Sequence, residues 1–491
     1  LPFSNQVTGT TPCAKGTLTI IYKTIPGWDS INNPTDGVIG TNVETRPAFE
    51  ARREATVQQN TVGFSSSILG ALLGTNLDTG APNVPGILDA YVTDNSDNYP
   101  VAVTPLCVIN GSISGTALTV DSIISGTGVV IGQTVTGSAS SGVPVASGTV
   151  ITGGSGSSWT VNNSQTVAVT NMNLGGVVVP ANSLYVAAVG GVDATVAQQV
   201  FTKKSPGCPY YPGNRTVTVY DANVQYPPPG VPYTVVFQRP PSLPFVVQVN
   251  IANGPNIPSN ATALIQVAIV AAFAGTDNLG LRAKVGFPVY ANRFYAGINA
   301  LGSWAEIVSL FLGSPNAPTA NVTASVGASF TATASGTNLT VSSVTGYLYA
   351  NASNGDTLAG AGIPFGTTVV SQSSGTTGGA GVYVTSQATT ATAASCTSTS
   401  FVLNVTNVAS GSVAVNKFAL DTGGNIEAGS IVASQLTGSA GAAGTYLLRG
   451  EQQSVASESM ILVLPSLTVV PVTANQAPTI SNEDIQVNIV S

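Results

Sequence analysis

The sequence contains no histidine and little charge, with 14 basic and 21 acidic residues in 491, or 7%; an ordinary soluble domain carries roughly 25%. Without histidine there is no Ser-His-Asp or Cys-His nucleophile system, no histidine-ligated zinc, and no side chain that normally titrates near neutral pH. The formal charge of -7 and pI of about 4.5 argue against a phosphate-binding surface, which needs clustered Lys and Arg. Only two basic doublets occur, Arg52-Arg53 and Lys203-Lys204. The four cysteines, Cys13, Cys107, Cys208 and Cys396, form no CxxC pair and read as unpaired thiols of a reducing compartment. Long apolar runs are missing too: the best, Leu264 to Ala274, is shorter than the roughly 20 residues that span a bilayer. No basic segment precedes an apolar core as in a signal peptide, and the chain opens at Leu1 rather than Met, which leaves room for residues upstream.

What is present is 43% hydrophobic residues, enough for real cores, distributed unevenly. The stretch from Cys107 to Leu174 holds one charged residue, Asp121, and the stretch from Ala317 to Pro465 holds seven. Both consist of Gly, Ser, Thr, Ala and Val with short β-branched runs between glycines, the pattern of short strands joined by tight turns. They also repeat. SGTALTV (Ser114 to Val120) returns as SGTNLTV (Ser335 to Val341). Each is followed by an aromatic-centred strand and Ser-Gln: Trp159 with Ser164-Gln165, then Tyr383 with Ser386-Gln387. A looser copy from Phe401 to Val463 carries Tyr446 ahead of Gln452-Gln453. Self-similarity of this kind marks repeated modules.

The rest of the chain mixes expected helices and strands. Helices are predicted over Pro47 to Gln59, Phe64 to Leu73, Asp193 to Lys203, Asn260 to Phe273 and Ser303 to Leu312. Strands are predicted over Gly86 to Asn95, Ser183 to Gly191, Thr216 to Asp221 and Tyr233 to Pro240. Insertions are tolerated where the two ends of a loop lie close together. Residues near Thr104 and Gly175 are therefore expected to be neighbours, as are residues near Ser314 and Ser466.

The segment PGWDSINNPTDGVIGTNVETRPAFEARR, Pro26 to Arg53, resembles the signature of the baseplate J-like family, the wedge proteins of contractile phage tails. Trp28, Asn33-Pro34, Gly40, Glu44-Thr45 and Arg52-Arg53 stand at the family's motif places. Arg46 departs from the acidic residue many members carry there. Downstream, SLYVAAVGGVDATVAQQVFTKKSPG is similar to the family's strand, Gly-Gly, helix and Lys-x-x-Gly element, with Gly190, Gly191, Lys203, Lys204 and Gly207 in register. VGFPVYANRFYAGINALGSWAEIVSLFLG and the terminal EDIQVNIV resemble its last domain.

Helices interleaved with antiparallel strands predict an α+β fold, which the resemblance makes a multidomain wedge-type host, with small, sandwich-like all-β modules inserted. Residues 1–106 with 175–230 would form a core, and 231–316 with 466–491 a C-terminal α+β domain. The inserted β modules would be 107–174, 317–400 and 401–465. The implied role is a virion tail-baseplate component, assembled in the host bacterial cytoplasm, that couples host contact to sheath contraction. Its implied partners are copies of itself, other wedge subunits, and tail hub and sheath proteins, with no nucleic acid, membrane span, catalysis, metal or cofactor.

Individual residues admit plainer readings. Arg52-Arg53 suits an interface anchor or an exposed helix face paired with Glu50 and Glu54. Trp28 suits the core beside the Asn-Pro turn, and Lys203-Lys204 a helix end, where cations meet the negative pole of the dipole. Asp94 and Asp97 lack the rest of a calcium loop, and Glu483-Asp484 lacks a matching acid. A different class of function, a tail adhesin, would use Trp159, Tyr383 and Tyr446 as stacking platforms for host surface polysaccharide; their recurrence at one place in each repeat is more simply that of core aromatics. A glycan-cleaving tail spike needs two carboxylates across a sugar, and the modules are too poor in acids to nominate a pair.

Overall fold

The computed structural model describes residues 13–21, 26–37 and 61–490, less 76–80, 99, 127, 138–144, 206, 211–212, 222–224, 278–279 and 422–423, with five positions between 46 and 57. The α+β class expected from the sequence is overturned. Strands make up 48% and helices 11%, in four helices among the described residues, and part of the chain closes into a six-stranded barrel rather than a sandwich. The helices are α1 (Ser65–Leu73), α2 (Asp193–Lys203), α3 (Ala261–Ala274) and α4 (Asn292–Asn299).

One expected helix is a strand. Residues 303–312 contribute to Ile307–Gly313, where Leu310 and Leu312 are buried and alternate with half-buried Ser309 and Phe311. Period-two burial with β-branched and aromatic residues favours the extended chain. The expected helix over Pro47 to Gln59 lies mostly outside the described residues; Arg46, Phe49, Glu50, Arg53 and Val57, which are described, are helical.

The host has two layers of packing. Strand β1 (Ile87–Asn95) pairs antiparallel with β2 (Ser183–Gly190), and β3 (Arg215–Asp221) with β4 (Val231–Phe237). Helices α1 and α2 cover them through Ile68, Leu72, Val196 and Val200. Further along, β5 (Val246–Ala252) is flanked by β6 (Ile307–Gly313), antiparallel, and β7 (Ile485–Val490), parallel. Val247, Val249, Ile251 and Leu310 meet Ile265 and Ile269 of α3 and Phe294 of α4 in one core. No described helix is long and apolar enough to cross a membrane.

The three modules share one strand plan. In the third, six strands close in the order Ala320–Val326, Val402–Gly411, Gly444–Arg449, Ile431–Gln435, Phe418–Leu420, Val455–Val463. Numbered along the chain, that order is one, two, five, four, three, six. In the second module, Ala328–Gly346 doubles back at Gly336 and supplies strands one and two. Gly381–Thr389 pairs with strand two and Ala394–Thr399 with strand one. Val369–Gly375 and Thr357–Gly360 follow, joined by a bridge between Thr357 and Thr368. In the first module, Cys107–Gly126 doubles back at Gly115, bringing Gly111 against the Thr119 carbonyl. Ser158–Leu174 supplies strands five and six, and Thr134 bridges Val150 to complete the same order.

The repeated Ser-Gly-Thr is therefore the turn between strands one and two. Gly115 and Gly336 both take φ of +66°, in the left-handed region that favours glycine. The third module has no such turn: the whole second module occupies its place, between Val326 and Val402. The two are nested, whereas the sequence had suggested a tandem pair divided at residue 400.

Each insertion leaves and rejoins its host on neighbouring backbone. Leu106 N–H donates to the Leu174 carbonyl (3.0 Å), Ser466 N–H to that of Leu312 (3.2 Å), and Ala328 N–H to Ser398 Oγ (2.9 Å). Replacing Ala328–Thr399 by a Ser-Gly-Thr turn is expected to leave a chain that melts cooperatively with its barrel intact. Circular dichroism and limited proteolysis check this, and fragmentation within 401–463 would contradict it.

Candidate functional site

The family-like residues build scaffold. Asn33 holds the first described loop together: its Nδ2 donates to the carbonyls of Ala14 (2.7 Å) and Thr35 (3.1 Å), and its Oδ1 accepts from Leu18 N–H (3.0 Å). Pro34 follows in the bend, and Trp28 is half-buried. Arg53 pairs with Glu50 at 2.7 Å with both side chains largely exposed, a contact of at most a few tenths of a kcal/mol. Gly40, Glu44, Thr45 and Arg52 lie outside the described residues.

Gly190 and Gly191 link β2 to α2 with φ of +74° and +71°. A Cβ on Gly190 would sit 2.3 Å from the Gly86 carbonyl oxygen, and one on Gly191 2.6 Å from Val84 Cγ1. Their carbonyls point at Arg239, just past the end of β4. Its Nη1 donates to the Ala188 carbonyl (3.0 Å) and also to that of Gly190; its Nη2 donates to that of Gly191 (2.8 Å). The same guanidinium grips Asp193 at 2.7 Å, in the first turn of α2 where a carboxylate meets the positive end of the dipole. Arg239 thus fastens strand, turn and helix together. The sequence shows it only as a lone arginine ending a strand. At the other end of α2, Lys204 caps with its N–H to the Val200 carbonyl (3.0 Å) and sets its ammonium 5.0 Å from the Tyr210 ring centroid. The Lys203 carbonyl accepts from Gly63 N–H (2.9 Å), and Gly207 makes a turn at φ of +81°.

Two of the recurring aromatics are buried in their modules and present no ring face to a ligand. Tyr383 and Tyr446 are 0% and 1% exposed. Their hydroxyls donate to carbonyls four residues back, at Gly379 (2.7 Å) and Ala442 (2.5 Å). Trp159 donates from Nε1 to the Gly156 carbonyl (2.9 Å) and packs half-buried on its module's core. All three therefore close the turn between strands four and five with an apolar body and a polar tip.

The recurring glutamines likewise brace the turn before strand four. Gln165 accepts from Ala146 N–H and donates to Thr149 Oγ1; Gln453 accepts from Glu427 N–H and donates to Ser430 Oγ, all at 2.8 to 2.9 Å. Gln387 reaches the Phe365 carbonyl (3.3 Å) at the matching turn.

Of the surface clefts, two bear on the modules' aromatic residues. Trp159, Asn321, Ser410 and Ile461 line one of about 800 Å³ between the first module and the barrel. The second module has another of about 440 Å³. Neither is lined by a charged side chain. All four cysteines are free thiols, and no group of three or more metal-ligating side chains gathers among the described residues. No family model and no curated protein matches the chain.

Asp356 is fully buried where the second module meets the barrel, accepting from Tyr349 N–H (3.0 Å) and Ser398 Oγ (2.9 Å). Its Oδ1 has no hydrogen bond of regular geometry. Burial raises its pKa from 3.8 to about 6, against the lowering effect of hydrogen bonds from Ser400, Tyr349 and Ser398. The folded state therefore holds this proton to higher pH than the unfolded chain does. The resulting stability is full below the unfolded pKa and is lost as pH rises through the folded one.

Two predictions follow from these contacts. Asp356→Asn is expected to remove about 3 kcal/mol of pH-dependent stability between pH 4 and 7.5; parallel urea-melt stabilities of the two proteins across that range would contradict it. Arg239→Ala is expected to cost about 2 to 4 kcal/mol, with Arg239→Lys recovering only part because an ammonium cannot fork. Urea melts at fixed pH measure both.

Proposed function

We propose that this chain is a structural subunit of a contractile-tail baseplate, a wedge-type protein that packs against copies of itself and neighbouring wedge, hub and sheath proteins. Its barrels are carried on the periphery. The observation that carries the reading is the Arg239 clasp, because it holds one of the stretches that resemble baseplate J-like proteins. There a strand, two left-handed glycines and a helix form a rigid corner. Leu88 and Val192 flank that corner, 56% and 64% exposed, as apolar side chains suited to burial against a partner. The scarcity of charge supports the same reading, since the centres of interfaces are depleted in Lys, Glu and Asp. Four unpaired thiols are compatible with assembly in a bacterial cytoplasm.

Electron microscopy of particles labelled with gold-conjugated antibody against this chain tests the proposal. Label is expected to ring the distal end of the tail in both intact and contracted particles. Label on fibres or capsid, or none on particles, would overturn it.

A further inference from the structure

The second and third modules share a strand plan, so residues present in one and missing from the other at matching places are not needed to close the barrel. After strand two, each chain crosses to strand three through a buried aliphatic anchor. Leu348 donates its N–H to the Gly378 carbonyl (3.0 Å), and Val413 its N–H to that of Gly441 (2.9 Å). The two crossings differ beside the anchor. In the barrel, Ser412 and Ala414 flank Val413; in the second module, Tyr347 and Tyr349 flank Leu348. Gly378 faces the Tyr347 ring as Gly441 faces the Ser412 side chain, and the Tyr349 hydroxyl accepts from Asn351 Nδ2 (3.2 Å). Neither tyrosine is fully buried, and together they wall the cleft of about 440 Å³, opposite Ser371, Gln372, Ser374 and Thr377.

We propose that this cleft binds an uncharged, hexose-based glycan, with Tyr347 and Tyr349 as its aromatic wall and the serine and threonine hydroxyls as its polar wall. A sugar ring offers an apolar face of C–H groups and a rim of hydroxyls that both donate and accept. Aromatic rings and neutral hydroxyls match those two surfaces. An anionic sugar would enter a cleft whose lining supplies no cation. The volume exceeds that of one hexose. This site is distinct from the Tyr383 and Tyr446 positions, whose rings are buried, and from Trp159, which lines the other cleft. It also stands apart from the wedge reading, because the purified chain either binds or does not, whatever assembly carries it.

Saturation-transfer NMR and titration calorimetry on the full chain test this with maltohexaose, cellohexaose, mannohexaose, chitohexaose and an oligogalacturonate as probes. At least one neutral oligomer is expected to bind, and the oligogalacturonate is not. The variant Tyr347→Ser with Tyr349→Ala places the barrel's own residues at these positions, so it should keep the melting temperature while weakening binding at least tenfold. Ser371→Trp fills the cleft from the opposite strand and should weaken binding equally. Binding of no neutral probe, binding of the anionic one alone, or undiminished binding by both variants would overturn the assignment.

Discussion

The structure depends on a constraint of chain geometry: every interruption must return to within a hydrogen bond of where it left. Leu106 meets Leu174, Leu312 meets Ser466, and the Gly327 and Ser400 ends of the second module meet at the mouth of the barrel. Because each pair of ends is already adjacent in the host, the loop-closure cost of an insertion falls on the insertion, which repays it with its own core. This is why a host core of β5, β6, β7, α3 and α4 survives with about 150 residues looped out between β6 and β7.

Closure also explains how modules with so little charge remain discrete. An open sheet protects its edges with Lys, Pro or inward charges, and these modules have few to spend. Pairing strands three and four, at Phe418–Ile431 in the barrel and by the Thr357–Thr368 and Thr134–Val150 bridges in the others, covers the edge instead. Inside the loops, glutamine, serine and threonine side chains bond backbone groups in place of ion pairs. The buried Lys417 follows the same rule, donating to the carbonyls of Thr319 and Ser412.

Much of this was visible as pattern and invisible as meaning. The recurrence of Trp159, Tyr383 and Tyr446 can be read from the sequence. Whether such a ring faces in or out depends on strand register, and a shift of one residue reverses it. Nesting could not be read either, because Ala320–Val326 precedes the second module along the chain and looks like its beginning. Arg239 was hidden since its partners are mainly carbonyls some fifty residues upstream, and a carbonyl leaves no trace in residue type. Strands β1 to β4 and helices α1 to α3 were legible from periodicity; Val246–Ala252 was not marked, and Ile307–Gly313 was read as a helix, because a short apolar run suits either helix or strand until its neighbours are known. Tyr347 and Tyr349 became conspicuous only when the two modules could be aligned strand by strand.

Strand β7 pairs in parallel with β5, yet the ribosome makes it only after both nested barrels. Since domains tend to fold as units during synthesis, the second module can close before the third has its remaining five strands, and both can close before β5 meets its parallel neighbour. Until then β5 has one flank uncovered. Synthesis thus lets this protein become whole from the inside of its sequence outward: the innermost insertion first, the surrounding barrel next, and the sheet that carries them last.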